Sequence, residues 1–433
     1  MSFDPKWRER AVAASEVVRH VGSGARLFLH GGCATPGPLV QTLAAREDLE
    51  GVELYHLHTS GPAPFADPSA AGRLFSNSLF TGPGLRKAVE EGRADFIPIF
   101  LSDIPGLFTS GVVPLDVAVL QLSPPDKHGY CSLGVSVDAA RAAADSARIV
   151  LAEINERMPR THGNSSVSFA SITAFTLTDR ALFEMAPAAQ SDVEQRIGAI
   201  VADLVEDGAT LQMGIGAIPD AVLKYLRDKK DLGVHSELFS DGVIELVNEG
   251  VLTGARKSLH PGKIIAGFIL GTKKLYDWVD DNPMIELHRT EYVNDPFVIA
   301  QNERMVAINS AIEVDLTGQV CADSIGPKLY SGVGGQLDFI YGASRSKGGV
   351  PVIALPSTTL LKDGTLVSRI AGMLKQGAGV VTSRNHVRFV VTEYGVADLY
   401  GKSIRQRATQ LIGIAHPEFR AELEKQAKEL HYL

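Results

Sequence analysis

The sequence is poor in cysteine, in long apolar runs and in clusters of positive charge. Its 433 residues contain three cysteines, Cys33, Cys131 and Cys321, too far apart in sequence for a disulfide framework or a metal cluster. The longest stretch that approaches the 18 or so apolar residues of a membrane span, residues 94–122, is interrupted by aspartates. Residues 1–8 are charged where a signal peptide needs an apolar run. We therefore expect a reduced, cytoplasmic protein that has no bound metal and does not bind a membrane.

Charge of positive sign is also in the minority. The formal net charge is −8, and no stretch is rich in Lys and Arg. Such a balance argues against nucleic acid as a partner. A hydrophobic content of 45% is ordinary for a folded chain. The 42 glycines are about one residue in ten, which is above the average glycine content of about 7%. The composition favours a glycine-rich globular enzyme.

Short aliphatic runs alternate with helical patterns along the chain. Residues 25–30, 52–57, 117–122 and 148–153 are typical of buried strands. Helical spacing follows the first of them, over residues 38–46. This alternation predicts βαβ units and mostly parallel sheets.

A repeat relates two parts of the chain. Gly24-Ala25-x-Leu27 leads through a glycine turn to Pro36, and Gly208-Ala209-x-Leu211 leads through another to Pro219. Four apolar or acidic residues then follow each proline at the same offsets of 3, 7, 12 and 13. The repeat predicts an α/β fold with two structurally related open domains, with a ligand cleft between them. We place the domains at 1–187 and 188–433, because residues 184–189 interrupt the pattern. A capping box, Ser191 to Glu194, then opens a new helix, predicted over residues 193–206.

One carboxylate stands out when the two copies are aligned. Setting Val52 against Val234 places Glu237 opposite Tyr55, inside a predicted strand over residues 234–239. Glutamate is disfavoured in strands and is rarely buried without a partner. The strand leads directly into a Ser-Asp-Gly turn, so Glu237 lies near a strand end, where ligands of open α/β sheets bind. From the residues alone, a solvated edge glutamate and a functional one are both open.

Two glycine-rich loops offer backbone donors. Gly214-Ile215-Gly216-Ala217-Ile218-Pro219 joins a predicted strand to a helix, so its amides could bind a phosphate or an oxyanion; a plain tight turn is the alternative. Three glycines in four positions, at 332, 334 and 335, favour close approach of the backbone to a ligand. Lys347 follows and offers a charge for phosphate, or is a solvated surface lysine.

Other candidates are weaker. Cys33 follows two glycines but has no evident histidine partner, so we interpret it as a small buried thiol. His56 and His58 form a close pair at a strand end, but no third ligand lies nearby in sequence. A metal site there is not expected.

Together these segments resemble the acetyl-CoA hydrolase/transferase family, most closely its bacterial 4-hydroxybutyrate CoA-transferase type (family I), over essentially the whole chain. The matching segments are those at residues 158–163, 214–219, 235–242, 331–339, 391–399 and 415–417. The resemblance implies a ping-pong CoA transfer through a thioester between CoA and the catalytic Glu237. It also implies CoA as co-substrate without a prosthetic group, and a homodimer.

The resemblance assigns further roles residue by residue. It places the catalytic glutamate and CoA binding in the C-terminal domain and the carboxylate substrate in the N-terminal one. The oxyanion hole and CoA path would be lined by Gly214, Ile215, Gly216, Ala217 and Ile218. CoA would be held by Asn309, Gly334, Gly335 and, through its phosphates, Lys347. Gly31 and Gly32 would lie at the substrate carboxylate.

The sequence leaves the exact reaction open. A hydrolase would share the glutamyl-CoA intermediate, and a catalytically silent acyl-CoA-binding protein is a third possibility. Acetyl-CoA and succinyl-CoA are candidate donors; acetate, butyrate, 4-hydroxybutyrate and dicarboxylates such as itaconate or succinate are candidate acceptors. A dicarboxylate would require a cationic group, for which Arg86 and His30 are candidates.

Overall fold

The computed structural model describes residues 3–433, which form two compact units. The first unit contains the chain up to Ala186 together with Ile265–Val293 and Tyr330–Gly332. The second contains Pro187–Ile264, Asn294–Leu329 and Val333–Leu433. The units are therefore not two uninterrupted halves, because two later segments pack within the first unit. The domains predicted from the sequence, 1–187 and 188–433, are each one continuous stretch and do not include these exchanged segments.

The helices and strands follow one another in chain order. As far as Thr178 they are α1 (Ala14–Val17), β1 (Arg26–Leu29), α2 (Gly37–Ala44), β2 (Val52–His56), β3 (Leu74–Ser78), α3 (Arg86–Glu90), β4 (Ala94–Phe96), α4 (Ile104–Thr109), β5 (Val117–Leu122), β6 (Tyr130–Ser132), α5 (Ala140–Ser146), β7 (Ile149–Asn155), β8 (His162–Gly163), β9 (Ser166–Ser168) and β10 (Ile172–Thr178). As far as Ser310 they continue with α6 (Asp192–Asp203), β11 (Thr210–Gln212), α7 (Ala217–Lys224), β12 (Gly233–Phe239), α8 (Gly242–Asn248), β13 (Ile264–Ile269), α9 (Lys273–Val279), β14 (Ile285–Leu287), α10 (Thr290–Val293), α11 (Pro296–Ile299) and β15 (Met305–Ser310). The remainder are β16 (Glu313–Asp315), β17 (Val320–Cys321), β18 (Ser324–Ile325), β19 (Lys328–Leu329), α12 (Gln336–Arg345), β20 (Val350–Ala354), β21 (Thr358–Leu360), β22 (Leu366–Ser368), β23 (Ile370–Ala371), β24 (Phe389–Thr392), β25 (Gly395–Asp398), α13 (Ile404–Ile414) and α14 (Pro417–Glu429).

The main sheet of the first unit is parallel throughout. Its seven strands have the order β10-β7-β5-β1-β2-β3-β4. Central strands such as β5 are buried along their whole length, as expected where helices cover both faces of a sheet. One core of this unit packs α1 and α2 on the sheet through residues such as Val17, Leu39 and Leu43. The predicted α/β fold with mostly parallel sheets is confirmed.

The second unit repeats this topology. Six of its strands have the order β25-β24-β20-β15-β11-β12, and only the β24–β25 pair is antiparallel. Five of them correspond to β10-β7-β5-β1-β2 of the first unit, in the same order. A separate core under α13 and α14 contains Leu411, Leu423 and Ile353. The repeat in the sequence therefore reflects two copies of one arrangement.

The register of the strands corrects the alignment made from the sequence. Leu27 of β1 pairs with Leu54, and its counterpart Leu211 of β11 pairs with Val234. Leu54, not Val52, is thus equivalent to Val234, and the equivalent of Glu237 is Leu57 rather than Tyr55. The error is two residues because β2 already pairs with β3 at Val52, before the level at which β12 begins. A shift of two keeps every side chain on the same face of the sheet.

Helix starts were easier to predict than strand register. The capping box at Ser191 is present: its hydroxyl accepts a hydrogen bond from the Val193 amide, and its own amide donates to Glu194. The helix that follows, α6, ends at Asp203, three residues before the predicted end. Throughout residues 3–433, each helix is too short or too polar to span a bilayer.

Candidate active site

Glu237 lies in the last part of β12, with its side chain half-buried. The strand forms because Val234, Leu238 and Phe239 are buried apolar residues around it. Ser236 fixes this segment: its hydroxyl bonds to the backbone of Met213, accepting from the amide at 3.1 Å and lying 3.0 Å from the carbonyl oxygen. Met213 also bridges to Leu238. The start of the glycine turn at Gly214 is therefore held beside the strand that carries the glutamate.

Asn294 contacts the carboxylate directly. Its Nδ2 donates a hydrogen bond to Glu237 Oε2 over 3.1 Å. Asn294 is fully buried, and its Oδ1 has no hydrogen-bond partner within residues 3–433. A buried amide of this kind fixes the orientation of the carboxylate and stabilises its charge. Asn294 could not be identified from the sequence, since a single asparagine before Asp-Pro is typical of a helix start.

Gly335 lies against the same pair of atoms. A Cβ placed on this residue would overlap both Asn294 Nδ2 and Glu237 Oε2. Only glycine therefore lets the backbone approach the carboxylate this closely. The preceding Gly334 has a φ of +58°, a left-handed conformation that favours glycine. The sequence predicted close backbone approach in this loop, and in the structure the group approached is Glu237.

Two packed helices position these contacts. Asn294 lies just before α11, whose N-cap Asp295 accepts a hydrogen bond from the Phe297 amide. Gly335 is the N-cap of α12. The helices touch where Gly342 leaves room for Ile299, since a Cβ at Gly342 would collide with the isoleucine side chain. The positions of Asn294 and Gly335 therefore depend on one helix–helix contact.

The turn at residues 214–218 ends in a conformation that requires glycine. Gly216 has φ +110° and ψ −176°, a region that other residues essentially do not adopt. It caps α7, which begins at Ala217 and buries Ile218. The first amides of a helix lack intrahelical acceptors, so this end of α7 can donate hydrogen bonds to an anion.

A second carboxyl group lies in the first turn of α7. Burial raises the pKa of Asp220 above its usual value, although the Ala188 amide and the Ser240 hydroxyl act in the opposite direction. Ser240 directly follows β12, so Asp220 and Glu237 are both near the end of that strand. The nearby carboxylate of Asp241 also raises the pKa of Asp220.

Asn309 lies level with Glu237 in the sheet. Leu211 pairs with both Val234 and Val306, so Glu237 and Asn309 are each three residues further along their strands. The Asn309 amide donates to Gln212 Oε1 over 2.9 Å, which fixes it on the strand between them. The structure thus places Asn309 at the same edge of the sheet as Glu237, two strands away.

Lys347 lies near the opposite end of the strands from Glu237. Its Nζ is 3.3 Å from Glu303 Oε1, and the lysine side chain is 82% exposed. Glu303 is six residues before Asn309, which at about 3.3 Å per residue is roughly 20 Å along the strand direction. The structure therefore does not bring Lys347 to the carboxylate, and a role for it in binding phosphate stays a prediction without geometric support.

Gly31 and Gly32 belong to the first unit, immediately after β1. The Gly32 amide donates to the His58 carbonyl, and a Cβ on Gly31 would come within 3.0 Å of that oxygen. Gly32 has a φ of +53°. The two glycines thus let the backbone after β1 lie close to the end of β2; their role at the substrate stays a prediction.

The cysteines are not activated nucleophiles. Cys33, Cys131 and Cys321 are all buried. Burial raises the pKa of the Cys33 thiol, and it raises that of Cys131 to about 12. Thiols of this kind stay protonated at neutral pH. Residues 3–433 also contain no group of three or more His, Cys, Asp or Glu that could hold a metal ion.

Comparisons with known proteins agree on one family. Residues 1–176 match the acetyl-CoA hydrolase/transferase N-terminal domain, and residues 271–427 match the C-terminal domain of the same family. The chain is 51% identical to a succinyl-CoA:acetate/propanoyl-CoA:succinate CoA transferase of Fasciola hepatica, over 98% of this chain and 88% of that one. It is 48% identical to the 4-hydroxybutyrate coenzyme A transferase of Clostridium kluyveri, over 99% of this chain and 100% of that one.

A solved structure shows the same fold. The 4-hydroxybutyrate CoA-transferase of Porphyromonas gingivalis is 41% identical and superposes with a TM-score of 0.83, covering 98% of each chain. Two family models that together span most of the chain, and relatives this similar over its full length, leave no ambiguity about its class. The chain belongs to the acetyl-CoA hydrolase/transferase family and is a CoA-transferase.

Proposed function

We propose that the protein transfers CoA from an acyl-CoA donor to a short-chain carboxylate, by a ping-pong mechanism with Glu237 as the nucleophile. The observation that supports this most directly is the setting of Glu237, a half-buried carboxylate bonded to Asn294 and approached by the backbone at Gly335. A solvated edge glutamate would need neither a buried amide partner nor a neighbour restricted to glycine.

The first half of the reaction loads CoA onto the enzyme. A Glu237 oxygen attacks the acyl-CoA carbonyl carbon, the carbon–sulfur bond breaks, and CoA leaves as a thiolate. The product on the enzyme is a mixed anhydride, which conserves the energy of the thioester. The thiolate then attacks the glutamyl carbonyl carbon, so the original acyl group leaves as a carboxylate and Glu237 carries CoA as a thioester. An incoming carboxylate reverses both steps and leaves as its own CoA ester.

Each attack passes through a tetrahedral oxyanion, which needs fixed hydrogen-bond donors. The Asn294 amide is one such donor at the carboxylate itself, because its Nδ2 already bonds Glu237 Oε2. Backbone amides near Gly335 and at the start of α7 are the candidates for the remaining donors. We assign Asn294 a positioning role: it holds Glu237 in the orientation from which one oxygen attacks.

The names of the relatives contain different carboxylates, among them succinate, 4-hydroxybutyrate and acetate. We propose a short-chain carboxylate for this chain, with CoA as the co-substrate. The absence of a prosthetic group, a homodimeric assembly and a cytoplasmic location stay predictions from the sequence.

The test of the intermediate is chemical trapping. Enzyme exposed to acetyl-CoA and then to borohydride should lose activity, because borohydride reduces a glutamyl thioester to the alcohol. Peptide mass spectrometry should place the modification on Glu237. Enzyme treated with borohydride alone is the control and should stay active. Loss of activity without modification at Glu237, or no loss at all, contradicts the mechanism.

Transfer is distinguished from hydrolysis by the acceptor. CoA release from succinyl-CoA should depend on added carboxylate, with the new acyl-CoA appearing at the same rate. Release at the full rate without acceptor would identify a hydrolase that uses the same residue.

A further inference from the structure

Gln336 directly follows the glycine that approaches Glu237, and its side chain is bonded at both ends. It is the first residue of α12 and is buried. Its Nε2 donates a hydrogen bond to the Ser310 carbonyl oxygen over 2.7 Å, and its Oε1 accepts one from the Thr382 hydroxyl over 2.9 Å. The amide therefore joins the start of the helix to two other segments of the second unit. No step of the proposed CoA transfer uses this side chain.

Both anchors of the Gln336 amide belong to regular structure. Ser310 is the last residue of β15, next to Asn309, in the same sheet as the strand that carries Glu237. Thr382 is fully buried, and its backbone exchanges hydrogen bonds in both directions with Val320 of β17. A side chain bonded between two such anchors restricts the movement of the helix start.

The start of α12 needs an anchor of this kind because its N-cap is a glycine. A serine, threonine or aspartate at an N-cap accepts a hydrogen bond from the first turn of the helix. Gly335 has no side chain for this purpose, and a Cβ there would overlap Glu237 Oε2 and Asn294 Nδ2. The close approach to the carboxylate therefore excludes a side-chain cap at this position. Gln336 supplies a different attachment, one residue later.

The first turn of α12 is also a place where donors for an oxyanion are expected. The first amides of a helix lack intrahelical acceptors and lie at the positive end of the helix dipole. The start of this ten-residue helix lies beside the carboxyl group of Glu237. An oxyanion donor lowers the barrier most when it is already in place as the charge develops. A displaced first turn should therefore slow the reaction more than it weakens the binding of CoA.

We propose that Gln336 is a positioning residue for CoA transfer: bonded to Ser310 and Thr382, it holds the first turn of α12 against the carboxyl group of Glu237. It acts through Gly335 and the amides that follow, not through the substrate. This role rests on the proposed function, because it requires Glu237 as the nucleophile. All the residues that support it lie in the second unit.

Thr382→Val is the principal test, since valine is close to threonine in shape and lacks only the hydroxyl that bonds Gln336 Oε1. Losing this bond loosens the helix start, so kcat should fall about tenfold while the KM for acetyl-CoA stays within about twofold. Thr382→Ser keeps a hydroxyl that can donate and should retain at least about half of the wild-type kcat. Steady-state kinetics of acyl exchange measure both parameters.

Thr392→Val is the matched control. Thr392 is a fully buried threonine of the same unit, and its hydroxyl donates to the Ile414 carbonyl oxygen over 2.6 Å. It lies on β24, four strands away from β12 in the sheet. Losing this bond should lower the melting temperature as much as Thr382→Val does, but should leave kcat within about twofold. A merely structural role for the Thr382 hydroxyl would make the two variants equal in both measurements.

Gln336→Met removes both bonds at once and should lower kcat further, about 10- to 100-fold, again with little change in KM. Melting curves verify that this variant is folded; if it is not, the three threonine variants decide the outcome. Equal kcat in Thr382→Val and Thr392→Val would overturn the proposal. So would a change confined to KM, or a Thr382→Ser enzyme as slow as Thr382→Val.

Failure of the proposed function would look different. If Glu237 were not the nucleophile, borohydride trapping would leave Glu237 unmodified in the wild type as well. If only the role of Gln336 were wrong, the wild type would be trapped at Glu237 and Thr382→Val would keep the wild-type kcat.

Discussion

The ends of β2 and β12 occupy equivalent places in two copies of one arrangement, and only one of them carries a nucleophile. In the second unit this place holds Glu237, bonded to Asn294 and adjacent to Gly335. In the first unit it holds the buried Leu57, with His56 locked in hydrogen bonds before it and His58 after it. The strand order and register are the same, so the scaffold does not decide the chemistry. Function here therefore depends on a few side chains and on the residues that surround them.

The largest expected effect separates the two strand ends outright. Glu237→Gln keeps the shape of the side chain but removes the nucleophile, so kcat should fall at least about 10⁴-fold. Glu53→Gln is the control: Glu53 is a partly exposed residue of β2 that is 3.4 Å from Arg26, and its loss should leave the rate within about twofold. Initial rates of acyl exchange check both. Near-normal activity in Glu237→Gln would show that the end of β12, like the end of β2, carries no nucleophile.

A smaller but still large effect is expected from the glycine beside the carboxylate. In Gly335→Ala the new methyl group would displace Glu237 or Asn294, and a misplacement of about 1 Å can cost roughly 10²-fold in rate. Gly106→Ala, in α4 of the first unit, has open space around its Cβ and should be neutral. The rates of both variants, with melting curves to verify folding, decide the question. Full activity in Gly335→Ala would show that close backbone approach is not required.

The amide partner should matter less than the glycine. Asn294→Ala removes one hydrogen bond to a charged group, a change of about 1.5–3 kcal/mol, so kcat should fall some 10- to 100-fold. Because Asn294 acts through Glu237, the KM for acyl-CoA should change little, and the pH dependence of kcat should shift towards higher pH. Asn248→Ala, on the exposed end of α8, serves as control. A change confined to KM would contradict a positioning role.

The smallest effect concerns the first unit and appears in stability rather than rate. Burial lowers the pKa of His56 to about 4 from 6.5. The unfolded chain therefore binds a proton between pH 6.5 and 4 that the folded chain does not, and stability falls as pH falls through this window. Between pH 7 and 5.5, His56 should cost about 1 kcal/mol of unfolding free energy.

Denaturant titrations of the wild type and of His56→Gln at both pH values measure this contribution. The variant should be less stable at pH 7 but lose less stability on acidification. An equal pH dependence in both proteins would show that His56 is not the group responsible.

Much of the fold could be predicted because it follows from local patterns. Buried strands such as β5 appear as continuous apolar runs, and the capping box at Ser191 predicts the start of the helix that follows it. Strand register could not be predicted as well, since it depends on where each strand first meets its neighbour. The alignment of Val52 with Val234 failed for that reason.

The candidate site was predictable only where its residues are unusual in their own segment. Glu237 stood out as a carboxylate inside a strand, and Gly335 as one of several clustered glycines. Asn294 could not be predicted from its own segment, because its role comes from a contact with Glu237, 57 positions away in the sequence. For Lys347, which lies at the other end of the strands and is paired with Glu303, phosphate binding stays a prediction from the sequence.

The course of the chain has a consequence for dissecting this protein. The polypeptide leaves the second unit after Ile264, contributes most of β13, all of β14 and two helices to the first, and re-enters at Asn294, the residue that bonds Glu237. Cutting the gene at Pro187 would therefore not yield two autonomous fragments. The downstream piece would carry an orphaned insert of 29 residues, 265–293, tethered directly to its most sensitive contact. Complementation between separately produced pieces, rather than activity of either one, is the outcome that this threading allows.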